Sequence, residues 1–402
     1  MHKFFYMHKV RSSRLSTALP SGTVQQGKGT LMKQPFIDFD TSRDAARRAL
    51  PRLVFDFMDG AAGEENGLKR NRQAFRETLL MPRVLRDPHL ANLETRFLGQ
   101  TYARPFGCAP MGLCNLAGPH TDTMLAKAAA LHQFPVGVSA ASSMRLEHYI
   151  EQAEGFAWFQ LYVTGDMALA DSLIARAEAA GYQNLLLTVD VPRLARRPRD
   201  TRNGFQTPFR LTARHALDFA CHPFWTARTL MAGIPQMANY DLQKPGGYDR
   251  NAPRRGADWS YLQRLRDRWP RKLIVKGVLS PEDAIQIKTI GVDAIYVSNH
   301  GGRQFDAAPA TLTALKAISE SVGQSYPLIL DGGVRQGEDI AKALARGAHF
   351  VMMGRPFLFA AAADNHHGVE AFVNGLSSDL EIAFAQLGIE KISEIGPHCL
   401  AP

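Results

Sequence analysis

From Pro105 onward the chain repeats one pattern eight times: a short, unbroken apolar run, then a longer stretch in which apolar residues recur at helical spacing. Unbroken apolar runs mark strands covered on both faces, as parallel sheets require, whereas a strand with one wet face alternates. The strand candidates are Phe106–Pro110, Val136–Ala140, Ala157–Val163, Asn184–Asp190, Leu273–Gly277, Ala294–His300, Leu328–Gly332 and Phe350–Gly354. The helix-like segments that follow them include Thr121–His132, Met167–Ala180, Pro281–Ile290, Thr311–Ser321 and Gln336–Arg346. Pro281 stands where a helix start has no use for an N–H. Strands alternating with helices predict an α/β fold. Eight such units predict a TIM (β/α)8 barrel with its chemistry at the carboxyl ends of the strands.

Two regions fall outside the repeat. Upstream, Asp40-Thr41-Ser42 reads as the cap of a helix over Arg43 to Leu50, and a second short helix follows from Pro51 to Met58, ending near Asp59-Gly60-Ala61-Ala62-Gly63. Between the fourth and fifth strands, Asp190 and Leu273 lie about 80 residues apart, where loops of α/β units usually span roughly 2–6. This is a long insertion after strand 4, centred on about 203–258. Its middle, His222-Pro223-Phe224-Trp225-Thr226-Ala227-Arg228-Thr229-Leu230-Met231, reads as an apolar and aromatic helix among Arg210, Arg214, Arg250, Arg254 and Arg255.

Composition narrows the class without naming a function. A chain of 402 residues, 45% hydrophobic and 21% charged, buries a large core and is not disordered. Cys108, Cys114, Cys221 and Cys399 lack CxxC spacing, so neither a disulfide framework nor a metal site is expected, and a reducing cytoplasm fits. No run approaches the ~18 apolar residues of a membrane-spanning helix. The net charge of +9 is concentrated at the start: residues 1–33 carry Lys3, Lys9, Arg11, Arg14, Lys28 and Lys33 and no acid. That stretch lacks the apolar region of a secretory signal, and the body of the chain offers no nucleic-acid motif to accompany it. It reads as a flexible basic arm, dispensable up to about Met32, with residues 34–402 forming the barrel domain.

The chemistry gathers where the predicted strands end. Gln160 and Tyr162, Thr188 and Asp190, and Ser298 and His300 are pairs two apart, so that on a strand each pair shares a face. Lys276 ends a further strand and Ser139 belongs to the second. Any one pair is compatible with ordinary core polarity. An acid, a base, an amide, a phenol and an ammonium at one end of one barrel call for a ligand, because buried polar groups need partners. The run Ser298-Asn299-His300-Gly301-Gly302-Arg303-Gln304-Phe305-Asp306 also sets an acid/base group beside an anion-binding guanidinium.

This nonapeptide resembles the signature of the FMN-dependent 2-hydroxy-acid oxidases and dehydrogenases, the family of glycolate oxidase and of the lactate and mandelate dehydrogenases. The resemblance runs from about Phe36 to about Gly388, with several motifs in the family's order. It implies FMN as cofactor. Asp331-Gly332-Gly333-Val334-Arg335 and Gly354-Arg355 are similar to the loops that hold its phosphate. Ala109-Pro110-Met111-Gly112 is similar to the segment against the flavin ring. Ser139, Gln160, Thr188 and Ser298 match positions that bond the isoalloxazine or ribityl groups, and Lys276 matches the lysine that stabilises the reduced flavin. For a 2-hydroxy-acid substrate, His300 is similar to the catalytic base, Asp190 to the carboxylate that orients it and Tyr162 to the phenol near the substrate hydroxyl. Arg197 and Arg303 match the pair that binds the substrate carboxylate.

Two positions depart from the family pattern. Phe57 stands where most members place a tyrosine that bonds the substrate carboxylate, and Ala141 where glycolate oxidase carries a tryptophan. Both favour larger 2-hydroxy acids over glycolate. The resemblance further implies a homo-oligomer, expected to be a tetramer. The basic, apolar insertion suggests peripheral attachment to the inner face of the membrane, with quinone as electron acceptor. A soluble, oxygen-using oxidase is the alternative. An FMN-dependent isomerase of the isopentenyl-diphosphate type fits less well, since it has no need of the arginine pair.

Overall fold

The computed structural model describes residues 38–89, 91–205, 210–240 and 256–402. The basic arm, and Arg250, Arg254 and Arg255 of the insertion, lie outside the described residues.

Two strands, β1 (Thr95–Phe97) and β2 (Gln100–Tyr102), form an antiparallel hairpin. Eight more close into a barrel: β3 (Phe106–Met111), β4 (Val136–Ser139), β5 (Ala157–Leu161), β6 (Asn184–Thr188), β7 (Lys272–Val278), β8 (Ala294–Val297), β9 (Leu328–Leu330) and β10 (Phe350–Met353). The pairings run parallel in chain order, and β10 returns to β3. All eight expected strands are present. The helices Thr121–His132, Met167–Ala179, Pro281–Thr289, Thr311–Val322 and Gly337–Ala345 fall within a residue or so of expectation.

Two expectations need correction. The first helix runs Phe39–Ala49 and is capped by Asp38, whose carboxylate accepts from Thr41 N at 2.8 Å, rather than by Asp40-Thr41-Ser42. The strands also stop earlier than expected: β5 ends at Leu161, β6 at Thr188 and β8 at Val297. Tyr162, Asp190, Ser298 and His300 therefore sit in the loops above the barrel. Strand alternation does not aim Tyr162, Asp190 or His300.

Alternation does organise the lumen below. Trp158, Leu186, Ile274, Tyr296, Ile329 and Met352 form one buried apolar cluster. Two residues further along their strands or just beyond stand Gln160, Thr188, Lys276, Ser298, Asp331 and Gly354, so a polar layer lies above an apolar one. The hairpin closes the lower end. Phe97 and Tyr102 join the same cluster, their rings 5.2 and 5.4 Å from Phe350, and Trp158 Nε1 donates to the Tyr102 hydroxyl at 3.0 Å. The outward strand residues, such as Phe159, Leu185, Val275, Ile295 and Leu330, bury against the surrounding helices.

The insertion carries two helices, Ala213–Cys221 and Pro223–Ala232. The second is the helix expected near 222–231. Trp225 turns inward, its Nε1 donating to Leu116 O at 2.9 Å. Phe224 and Met231 face outward, 87% and 80% exposed.

Candidate active site

His300 ends a turn that only a held backbone adopts. Its φ is +58°, in the left-handed region that residues with a Cβ rarely enter. Its N–H donates to Ser298 Oγ at 3.0 Å. The imidazole Nδ1 lies 3.1 Å from both oxygens of Asp190, and Nε2 lies 3.4 Å from the Tyr162 hydroxyl. Asp190 comes this close because residue 277 is glycine. Gly277 has φ +106°, and a Cβ there would stand 2.5 Å from the Asp190 Cβ.

The charges of this pair are set by burial and by each other. Burial works against ionisation of Asp190, yet His300 and the Lys276 ammonium outweigh it and hold the carboxyl below its usual range. Burial pushes the imidazole of His300 below its ordinary value, outweighing the opposite pull of Asp190. Lys276 is buried too, but Asp331 and Asp190 keep it above its ordinary value. Its Nζ donates to Ser298 Oγ at 2.9 Å and lies 3.7 Å from Asp331 Oδ2.

Phe57, Tyr162, Ala141, Arg197, His300 and Arg303 line one cleft over the polar layer. Arg303 Nη1 donates to the carbonyls of Phe57 at 2.9 Å and Gly60 at 2.7 Å. Arg197 Nε pairs with Asp200 at 3.2 Å. Both guanidinium carbons sit over the Phe57 ring, at 5.5 Å for Arg197 and 5.3 Å for Arg303, within the ~6 Å of a cation–π contact. The ring expected to lack a hydroxyl thus has two cations close to it.

The remaining wall of the cleft tests the fit of a flavin mononucleotide. Pro110, Met111, Gly112, Ser139, Lys276, Asp331, Gly332, Gly333, Arg335, Gly354 and Arg355 all line it. Gln160, Thr188 and Ser298 stand just behind. Ser139 Oγ donates to Gln160 Oε1 at 2.9 Å. Among the buried polar atoms of the described residues that have no protein partner are Gln160 Nε2, Thr188 Oγ1, Asp331 Oδ1 and Arg335 Nε, at or just behind this wall. Each belongs to a residue expected to hold the cofactor, and an orphaned buried polar atom is costly unless a ligand satisfies it.

At the phosphate end, burial depresses Arg335 well below its ordinary value, and the neighbouring cations Arg355 and Arg72 add to this. Burial likewise brings Arg355 down to about 10, against Asp59 and Glu65. A buried cluster of cations short of an anion fits a phosphate dianion. Arg355 already donates to three backbone carbonyls, Met58, Gly301 and Gly60, at 3.1, 2.9 and 2.8 Å. Of its five N–H groups it has two left for an anion. Gly333, at φ +102°, brings its backbone against Asn71, where a Cβ would meet the Asn71 carbonyl oxygen at 3.0 Å.

Some participants carry no sequence signal. Phe205 stacks on Phe57 with centroids 4.1 Å apart and planes 11° apart. Leu113, Leu194 and Met237 add apolar wall. Asp306, the last residue of the nonapeptide, turns away and accepts from Gly67 N at 2.7 Å and Glu64 N at 3.0 Å, fastening the helix Asn66–Glu77.

The family model described as FMN-dependent dehydrogenase matches residues 46–402. The chain is 35% identical over 376 residues to the (S)-mandelate dehydrogenase of Pseudomonas putida, covering 92% of this chain and 95% of that one. It is 35% identical over 359 residues to a peroxisomal (S)-2-hydroxyacid oxidase of Arabidopsis thaliana, covering 89% and 94%. Among solved structures, one described as the monotopic membrane protein (S)-mandelate dehydrogenase superposes with a TM-score of 0.86 at 35% identity, over 91% of this chain and 99% of that one.

Proposed function

The chain belongs to the FMN-dependent dehydrogenase family, and from that premise we propose that it oxidises a medium-chain or aromatic (S)-2-hydroxy acid to the 2-oxo acid, with His300 as base. It is an oxidoreductase acting on CH–OH donors with FMN as cofactor. The observation that carries the finer reading is His300 held between Asp190 and Tyr162 in the cleft that Arg197 and Arg303 also line.

Arg197 and Arg303 bind the substrate carboxylate, for which a planar guanidinium is suited. With Nδ1 facing the Asp190 carboxylate, the imidazole proton resides on Nδ1 and Nε2 is left as acceptor. Nε2 takes a proton from the substrate, and Asp190 stabilises the imidazolium that results. Tyr162 orients the substrate hydroxyl beside Nε2. When bound, FMN supplies the two-electron acceptor. Ser139, Gln160, Thr188, Ser298, Lys276 and the Pro110-Met111-Gly112 segment hold its ring and ribityl chain. Asp331, Gly332, Gly333, Arg335, Gly354 and Arg355 hold its phosphate. Phe57 and Ala141 widen the substrate end and make it less polar.

The acceptor reading rests on the insertion. Helix Pro223–Ala232 presents Phe224, Leu230 and Met231 to solvent, with the exposed Arg228 beside them and Arg214 on the preceding helix. An amphipathic basic segment lies in the interface of an anionic bilayer, and a solved relative is described as monotopic. No helix among the described residues is long and apolar enough to cross a membrane. The proposal is therefore a peripheral dehydrogenase that passes electrons to quinone.

Anaerobic mixing with glycolate, lactate, 2-hydroxyoctanoate and mandelate tests the substrate reading through bleaching of the flavin absorbance. Bleaching is expected with the larger acids. No bleaching with any of the four would overturn it. Salt-sensitive co-sedimentation with anionic liposomes is expected, and fast peroxide formation without liposome binding would mean the oxygen-using oxidase instead.

A further inference from the structure

The left-handed turn that aims His300 needs a fastening. A left-handed backbone on a residue with a Cβ is strained and persists only where the surroundings dictate it. The turn is fixed at its start by Ser298, which receives the His300 N–H. At its far side the Gly302 N–H donates to Asn299 Oδ1 at 3.1 Å.

Asn299 is itself held by a residue more than 200 positions away in sequence. Asn71, on helix Asn66–Glu77, donates through Nδ2 to Asn299 Oδ1 at 2.8 Å, and Asn299 Nδ2 donates back to Asn71 Oδ1 at 2.8 Å. Both side chains are buried. Neither amide can flip. Asn299 Oδ1 must face the Gly302 N–H, and Asn71 Oδ1 must face the Thr311 N–H, which donates to it at 3.3 Å. Asn299 Nδ2 also donates to Pro309 O at 3.0 Å. Every side-chain polar atom of the pair therefore has a hydrogen-bond partner, and the pattern is unique. Asn71 is well placed to be rigid, because Asp306 clamps the start of its helix.

We propose that Asn71 is a positioning residue for His300: through its reciprocal amide pair with Asn299 it locks the turn that sets the imidazole against Asp190. It does not itself line the cleft, although its backbone packs behind Gly333 of the wall, which is why FMN binding is measured alongside the rate. The inference rests on the reading of His300 as base. Without the lock the turn relaxes toward ordinary backbone angles, and a displacement of the base by about 1 Å is enough to cost ~10²-fold in rate.

The test measures anaerobic flavin reduction in the FMN-loaded full chain, using whichever of glycolate, lactate, 2-hydroxyoctanoate and mandelate reduces the wild type fastest. Asn71→Ala is expected to bind FMN, keep its KM within about threefold and lose ~10²-fold in reduction rate. In a His300→Ala background the same substitution is expected to change the residual rate less than about twofold, because residues that act through one another are not additive. Equal losses in both backgrounds, or no loss in the wild type, would overturn the proposal. Asn71→Asp keeps the shape and the Oδ1 acceptor but replaces the donor to Asn299 Oδ1 with a carboxylate oxygen that repels it. It is expected to lose at least about tenfold, so a folding failure of the alanine variant leaves a second measurement. A His300→Ala protein that reduces its flavin at the wild-type rate would instead defeat the reading of His300, which is a separate outcome.

Discussion

Phe205 lies flat on Phe57, ring to ring at 4.1 Å, so that a residue of the insertion region covers one of the two cleft positions expected to differ from the family pattern. The stack ties the insertion to helix Arg52–Asp59 and fills the place beside Arg197 and Arg303 with aromatic surface.

Phe57→Tyr restores a hydroxyl beside the carboxylate site. A hydrogen bond to a charged group contributes ~1.5–3 kcal/mol, so KM for lactate or glycolate is expected to fall about tenfold or more, with little change for mandelate. Steady-state kinetics over the four acids measure it. An optimum already at glycolate in the wild type would defeat the pocket argument.

The pH profile follows from the His300–Asp190 contact. His300 must be unprotonated to accept a proton, and burial places its pKa below the ordinary imidazole value. Flavin reduction is therefore expected to hold as pH falls to about 6.5 and to decline only below it. The groups that face the imidazole are Asp190 and Tyr162, with Lys276 and Asp331 nearby. Asp190→Asn removes the anion that favours the imidazolium. The acid limb is then expected to move to still lower pH while the rate at pH 7 drops by ~10²-fold or more. A limb that moves upward would be inconsistent with this arrangement.

Removal of the cofactor exposes the cation cluster to itself. Stripped protein is expected to melt lower than loaded protein, and added FMN to raise Tm more than riboflavin, because only FMN carries the anion for Arg335 and Arg355. Thermal shifts at matched ligand concentrations decide it. Equal shifts would remove the phosphate role from these arginines.

Asp59 carries a stability prediction. Burial opposes its charge, but a bidentate contact from Arg43 at 2.7 and 2.8 Å and a bond from Arg199 at 2.7 Å bring it down to about 2. Measured against an ordinary value of 3.8, this corresponds to about 2 kcal/mol. A depressed carboxyl stabilises the fold above its unfolded pKa, and the contribution disappears as pH falls through about 2. Asp59→Asn should lower stability by roughly 2–5 kcal/mol at pH 7, and by much less near pH 2. Denaturant titrations at the two pH values measure the difference.

The barrel was legible because the strands are largely apolar on both faces and some helix starts carry a cap or a proline, as at Asp166, Asp258 and Ser280-Pro281. The polar layer was legible for a related reason: Gln160, Thr188 and Lys276 interrupt apolar runs at positions where nothing but a lumen awaits them. The aim of His300 was not legible. Its backbone is left-handed, and the adjacent Asn299 is paired with Asn71, an ordinary-looking asparagine in a helix among arginines. Phe205 and the inward turn of Trp225 were equally hidden, because each depends on a partner from a distant element, Phe57 in one case and Leu116 in the other.

The seam between β3 and β10 sets a schedule for the nascent protein. Val351 pairs with Phe106 across about 245 positions, which at about 5–20 residues per second is on the order of ten to fifty seconds of translation. Throughout that interval the first barrel strand has one side without its neighbour, and Arg355, which follows the last strand, has not been made. A raw strand edge invites pairing with other chains, and proline within a strand is one of the devices that discourage it. β3 ends in Pro110 and Met111. The Pro110 nitrogen faces Gly137 of β4, so the proline does not blunt the edge that waits for β10, and that edge stays open to pairing while the ribosome is still at work.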